Sequence, residues 1–149
     1  MNANLLAEYA DALHAVLGDM GVAAKQLIAV LDEEREALQR ADADALNRVG
    51  ETKQLLMRQL EQLDVERLHL SEASATAAQH TDPAWRELLG SLAICRDKNQ
   101  RNGTLVNLRL SLVRRALSAL TGNDAQGANI YGQNGSVKGL HRSAPIAQA

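Results

Sequence analysis

Phenylalanine is absent from this chain, and its aromatic content amounts to one Trp and two Tyr. β-Sandwiches and barrels draw their cores from β-branched and aromatic residues, so this scarcity argues against them and favours helix. Only two prolines occur, Pro83 and Pro145, and neither interrupts a stretch that needs a helix interior. A single cysteine, Cys95, excludes an internal disulfide framework and fits a reducing compartment. No uncharged apolar run approaches the roughly 20 residues that span a bilayer. The first two dozen residues carry Glu8, Asp11 and Asp19 with no basic segment ahead of them, so they do not read as a signal peptide. The expectation is a cytoplasmic chain without stable membrane insertion.

What is present is leucine and alanine, in 149 residues that most simply make one domain. The net charge is only −2 but is unevenly spread. Residues 1–72 hold 14 acids against 7 bases, and residues 73–149 hold 4 against 9. Such halves attract each other when the chain folds back, which suits a bundle better than a nucleic-acid surface.

The chain is organised around residues 82–120. Asp82-Pro83 is a helix-start signal, with Asp82 placed to cap and Pro83 lacking an N–H that would otherwise be orphaned. From there Trp85, Leu92, Asn99, Val106, Val113 and Leu120 recur every seven residues. Leu89, Arg96, Gly103, Leu110 and Leu117 fill the four-residue step. This alternation predicts the seam of a long helix packed on other helices, with a polar waist at Arg96, Asn99, Asn102 and Gly103.

Two earlier helices carry the same signal. The first, at about 3–40, has rows Leu6/Leu13/Met20/Leu27 and Tyr9/Val16/Ala23/Val30. Gly18 and Gly21 interrupt it, marking a bend or the close approach of a neighbour. Its acidic end (Asp32, Glu33, Glu34, Glu36) reads first as a solvated face and second as a partner for nearby bases. The second helix, at about 43–71, has rows Val49/Leu56/Leu63/Leu70 and Leu46/Lys53/Leu60, so Lys53 stands on the apolar line. If 72–81 is the loop of an antiparallel hairpin, residues whose numbers sum to about 155 lie at equal depth. Lys53 then falls level with Asn102. Lys53, Asn99 and Asn102 are expected to form one polar layer that sets the register of the bundle.

The predicted architecture is all-α: an antiparallel bundle of three long helices with coiled-coil-like packing over 1–120, then a flexible tail over 121–149. Gly122 suits a left-handed helix stop. The tail is rich in Gly, Asn and Gln, and its scattered hydrophobes, among them Ile130, Tyr131 and Val137, suit a short linear binding element.

Catalytic constellations are missing. Glu66-x-x-His69 matches half of a di-iron helix motif, but a di-iron site needs two such pairs and two further inward glutamates. His14, His80 and His141 lack ligand partners at suitable spacing, and Cys95 reads as a small buried hydrophobe. No metal, cofactor or enzymatic activity is expected.

Four stretches, spread over nearly the whole chain, resemble the FlgN family of flagellar type III export chaperones. They are the acidic-leucine stretch 31–38, the run from Lys53 to Leu60 followed by Arg67, Asn99-x-x-Asn102 with the aliphatic run to Leu120, and Ile130-Tyr131-Gly132-x-x-Gly135. The resemblance implies a chaperone that binds the C-terminal helical regions of the hook-associated proteins of the hook–filament junction. It further implies that the chaperone prevents their premature assembly and delivers them to the export apparatus. Client binding is then expected at Leu110, Val113, Leu117, Leu120, Ile130, Tyr131, Gly132 and Val137, although Leu110 and Val113 read first as core. A monomer or small oligomer is expected. The alternative is a structural coiled-coil or bundle protein that self-associates; a lone di-metal bundle comes third.

Overall fold

The computed structural model describes residues 2–122. Among them lie four helices: α1 (Ala3–Arg40), α2 (Ala43–Ala73), α3 (Ala75–His80) and α4 (Asp82–Thr121). The all-α class and the three long helices are as expected. Residues up to Asn107 form one compact unit, and the chain from Leu108 onward belongs to a second.

Local chemistry sets the breaks. Asp42 caps α2, its Oδ1 accepting the Ala45 N–H at 2.9 Å. Ahead of it, Ala41 ends α1 in the left-handed region at φ 55, and the next N–H groups return to the carbonyls of Leu38 and Ala37. The stretch expected to be a loop contains α3 instead. Ser74, itself buried, accepts the Ala77 N–H through Oγ at 3.2 Å and so nucleates a short turn of helix from Ala-rich sequence. Thr81 follows, and its carbonyl accepts the Trp85 N–H. Thr81 therefore occupies the cap of α4, and Asp82 stands one place inside the helix, where its carboxylate pairs with Arg86.

Within the first unit α1 is the central element. Its inward line from Leu13 to Leu38 contributes most of the buried side chains. One core cluster joins Ala23, Leu27 and Leu31 to Val49 and Leu56 of α2 and Cys95 of α4. A second joins Val16, Leu17, Met20 and Ala24 to Leu88, with Leu63, Leu70, Trp85 and Leu92 packed at its edge. Each fully buried leucine contributes about 2 kcal/mol by removing apolar surface from water. By length and composition alone α1 would also suffice to cross a membrane, but this apolar line is the bundle's own core.

Helix directions follow from side-chain pairs. Cys95 meets Ala24 and Asn102 meets Leu31, both 71 residues apart, so α1 and α4 run the same way. Lys53 meets Glu34, and Arg67 lies 4.0 Å over the Trp85 ring, so α2 runs opposite to both. Opposed charge reinforces the pairing, as Lys98 of α4 binds Asp32 of α1.

The inward line of α4 is the expected one only in part: Trp85 and Leu92 are half-buried against the second core cluster. Leu88, Cys95 and Asn102 are buried, whereas Leu89, Arg96, Asn99, Gly103 and Val106 are exposed. The two stripes lie one residue apart on the helix, both with heptad spacing, and periodicity alone does not choose between them. The neighbours do. A cysteine fits against the α1 backbone at Ala24, and a buried Asn102 finds acceptors at Leu31 and Glu34. Leu89 and Arg96 meet neither condition. Gly18 and Gly21 mark no close approach, because a Cβ on either would meet nothing within 4 Å.

Candidate functional site

Two features of the described residues bear on function: a polar layer inside the first unit and an apolar surface on the end of α4.

The polar layer is centred on Glu34, one of the acidic residues read first as a solvated face and second as a partner for nearby bases; the second reading is the one observed here. On the α1 inward line between Leu31 and Leu38, its carboxylate faces inward, its side chain 16% exposed. The Lys53 ammonium donates to Oε1 at 2.9 Å and to Oε2 at 3.2 Å. Asn102 Nδ2 donates to the same Oε2 at 2.8 Å and to the Leu31 carbonyl at 2.8 Å. Asn102 is 3% exposed, and these two bonds use both hydrogens of its amide nitrogen. Lys53 and Asn102 thus meet on one carboxylate, and three helices share one polar junction. Asn99, the third member expected there, is exposed and lines a groove beside Arg96. The sequence did carry a signal, since Glu34 is the next seven-residue step of the row Leu6/Leu13/Met20/Leu27. Its inward direction depends on how α1 is rotated against both partners.

Cys95 sits seven residues before Asn102, with its Sγ–H directed at the Ala24 carbonyl at 3.5 Å. Burial pushes the thiol above its ordinary value, outweighing the lowering effects of its backbone hydrogen bond and of Lys98. A protonated, enclosed thiol is a packing group rather than a nucleophile. Glu66, His69, His14 and His80 are all exposed. Among the described residues no group of three His, Cys, Asp or Glu could hold a metal ion.

The second unit begins within α4. Leu110 and Val113, read first as core, are 48% and 54% exposed, which corrects that expectation. Leu117 is comparably exposed, and Leu120 is 84% exposed. Leu110, Val113, Leu117 and Leu120 are spaced 3, 4 and 3 apart and share one helix face. Leu108 and Leu112 add exposed apolar surface. Arg114 and Arg115 are also exposed, so the apolar face is flanked by positive charge. The helix closes with the Thr121 hydroxyl donating to the Leu117 carbonyl at 2.9 Å and with Gly122 at φ 66, the left-handed stop expected of it. Ile130, Tyr131, Gly132 and Val137 lie outside the described residues.

Comparison with known proteins sets this arrangement in context. A family model described as "FlgN protein" matches residues 1–139. The proteins named "Flagella synthesis protein FlgN" of Salmonella typhimurium and Salmonella typhi are each 26% identical over 132 residues, covering 87% of this chain and 93% of theirs. No solved structure matches. The family match takes in every helix described above and runs beyond them, and the chain belongs to the FlgN family.

Proposed function

We propose that this chain is a cytoplasmic export chaperone of flagellar assembly, without catalytic activity. Its relatives are flagella synthesis proteins, which supports a role in building the flagellum. The finer reading is that it binds the C-terminal helical regions of the hook–filament junction proteins, holds them from premature assembly and delivers them to the type III export apparatus. One observation carries it: Leu110, Val113, Leu117 and Leu120 form an exposed apolar helix face. Monomeric proteins rarely leave contiguous apolar surface uncovered without a partner for it. An amphipathic client helix would cover this face by helix-in-groove packing. Arg114 and Arg115 at its flank favour a client with acidic residues beside its apolar face.

Ile130, Tyr131, Gly132 and Val137, which lie outside the described residues, are proposed to extend the client contact. The layer of Lys53, Glu34 and Asn102 is proposed to set the register of the bundle that carries the site, with Asn99 at its edge.

The test compares the full chain with a version ending after Leu120, each titrated with C-terminal segments of the hook–filament junction proteins. Binding by both places the client site in the helices. Loss on truncation with helicity retained places it in the tail. No binding by either overturns the chaperone reading. A free chain that assembles without limit in light scattering would favour the alternative of a self-associating structural bundle.

A further inference from the structure

Of the α4 stripe expected to be buried, Leu89, Arg96, Asn99, Gly103 and Val106 are exposed and form a second unpartnered face, which borders a groove in the first unit. Leu27, Leu31 and Cys95 form the buried floor of that groove, with Met57 of α2 exposed on one wall and Arg96 and Asn99 of α4 exposed on the other. Its volume is about 250 Å³. That is below the ~300–1,000 Å³ usual for small-molecule sites and suits side chains inserted from a neighbouring helix. The exposed positions keep the spacing such a helix requires: Leu89 and Arg96 lie seven apart, and Asn99, Gly103 and Val106 follow Arg96 in steps of three and four. At Gly103 a Cβ would meet nothing within 4 Å, which leaves room for a second backbone to approach.

Charge identifies the occupant. Lys53, on the edge of the groove, is neutralised by Glu34. Arg96 has no ion pair or hydrogen bond among the described residues. The groove is therefore an apolar floor with one uncompensated guanidinium at its rim. Residues 123–149 of this chain carry one acid, Asp124, against Lys138 and Arg142; residues 108–121 carry three arginines and no acid. Both segments are net basic and are disfavoured beside Arg96.

We propose that this groove seats the apolar face of one amphipathic client helix, whose carboxylate pairs with Arg96 while an apolar side chain packs on Met57 over the Leu27–Leu31 floor. The inference rests on the chaperone reading and adds a contact on the first unit, separate from the apolar face at residues 110–120. A guanidinium–carboxylate pair over a desolvated floor gives orientation as well as affinity.

The experiment uses the full-length chain and C-terminal segments of the hook–filament junction proteins, measured by calorimetric titration. Met57→Glu and Arg96→Glu are both exposed substitutions, so helicity and the urea midpoint should stay at wild-type values. Each is expected to weaken binding by roughly tenfold or more. Arg96→Lys should retain affinity within about threefold, since it keeps the charge. Added salt should weaken the wild type more than Arg96→Glu. If the wild type binds and both groove variants bind equally well while Leu117→Asp does not, the groove inference falls and the chaperone reading stands. If the wild type does not bind, both fall. A concentration-dependent dimer in light scattering that Arg96→Glu abolishes would assign the groove to a second copy and overturn the inference.

Discussion

Removing the Glu34 carboxylate tests the polar layer most directly. In Glu34→Ala the Lys53 ammonium loses a bond of 2.9 Å and Asn102 loses one of 2.8 Å. A charged hydrogen bond is worth about 1.5–3 kcal/mol net, and a buried donor left unpaired costs about 1–3 kcal/mol. Lys53 is 21% exposed at its side chain and can turn its ammonium toward water. That relief discounts its share, whereas Asn102, 3% exposed, has none. The expected loss is therefore about 2–4 kcal/mol, read from urea unfolding followed at 222 nm. A double-mutant cycle with Lys53→Met should return a coupling of about 1 kcal/mol or more.

The Asn102 variants sharpen the test. Asn102→Leu should change stability by less than about 1.5 kcal/mol, because Glu34 keeps Lys53 and the Leu31 carbonyl is already within the helix ladder. If the layer sets register, the same variant should lower hydrogen-exchange protection in α4 amides around 95–102. Asn102→Asp replaces both donors with a second carboxylate against Glu34 and should cost about 3–5 kcal/mol. A Glu34→Ala loss below about 0.5 kcal/mol, the range of an ordinary surface change, would refute the assigned energetics. Unchanged exchange in Asn102→Leu would refute the register role.

Three further outcomes are expected. Ala41 adopts φ 55 at the α1 stop, where a Cβ is unfavourable, so Ala41→Gly should stabilise the chain by up to about 1 kcal/mol and raise its melting temperature. Burial holds the Cys95 thiol above its ordinary value of 9.0, so below that value both folded and unfolded thiols stay protonated and stability is unaffected. As pH rises through 9.0 toward the folded value, the unfolded chain gains by losing its proton, and the urea midpoint should fall more in the wild type than in Cys95→Ala. Leu117→Asp, at an exposed position, should leave unfolding free energy within about 0.5–1 kcal/mol of wild type while abolishing client-segment binding.

Much of this architecture was legible from pattern alone. The heptad rows of α1 and α2 point inward as read, and in α1 the adjacent row Leu17/Ala24/Leu31/Leu38 is buried beside them. Gly122 marks its helix end, because a left-handed stop depends only on the few residues around it. The level pairing of Lys53 with Asn102 followed from the common rise of two antiparallel helices, and both reach Glu34.

Where two answers were locally equivalent, tertiary structure decided. On α4 the Leu89/Arg96/Gly103 row and the Leu88/Cys95/Asn102 row are one residue apart, both beside the half-buried pair Trp85 and Leu92, and the first was the one expected inside. Burial went to the second because a small thiol and a satisfiable amide fit against α1, whose backbone and Glu34 supply the acceptors. The Ser74 cap of α3 is local, but six residues make only a marginal helix by themselves, and the bundle holds this one by burying Ser74 and Ala77. Sequence by itself determined which segments are helical, where they stop and that they fold back on one another, since these depend on neighbours within a turn or two. Which face of α4 is enclosed, and which apolar residues are left at the surface for a partner, depended on residues some 70 positions away.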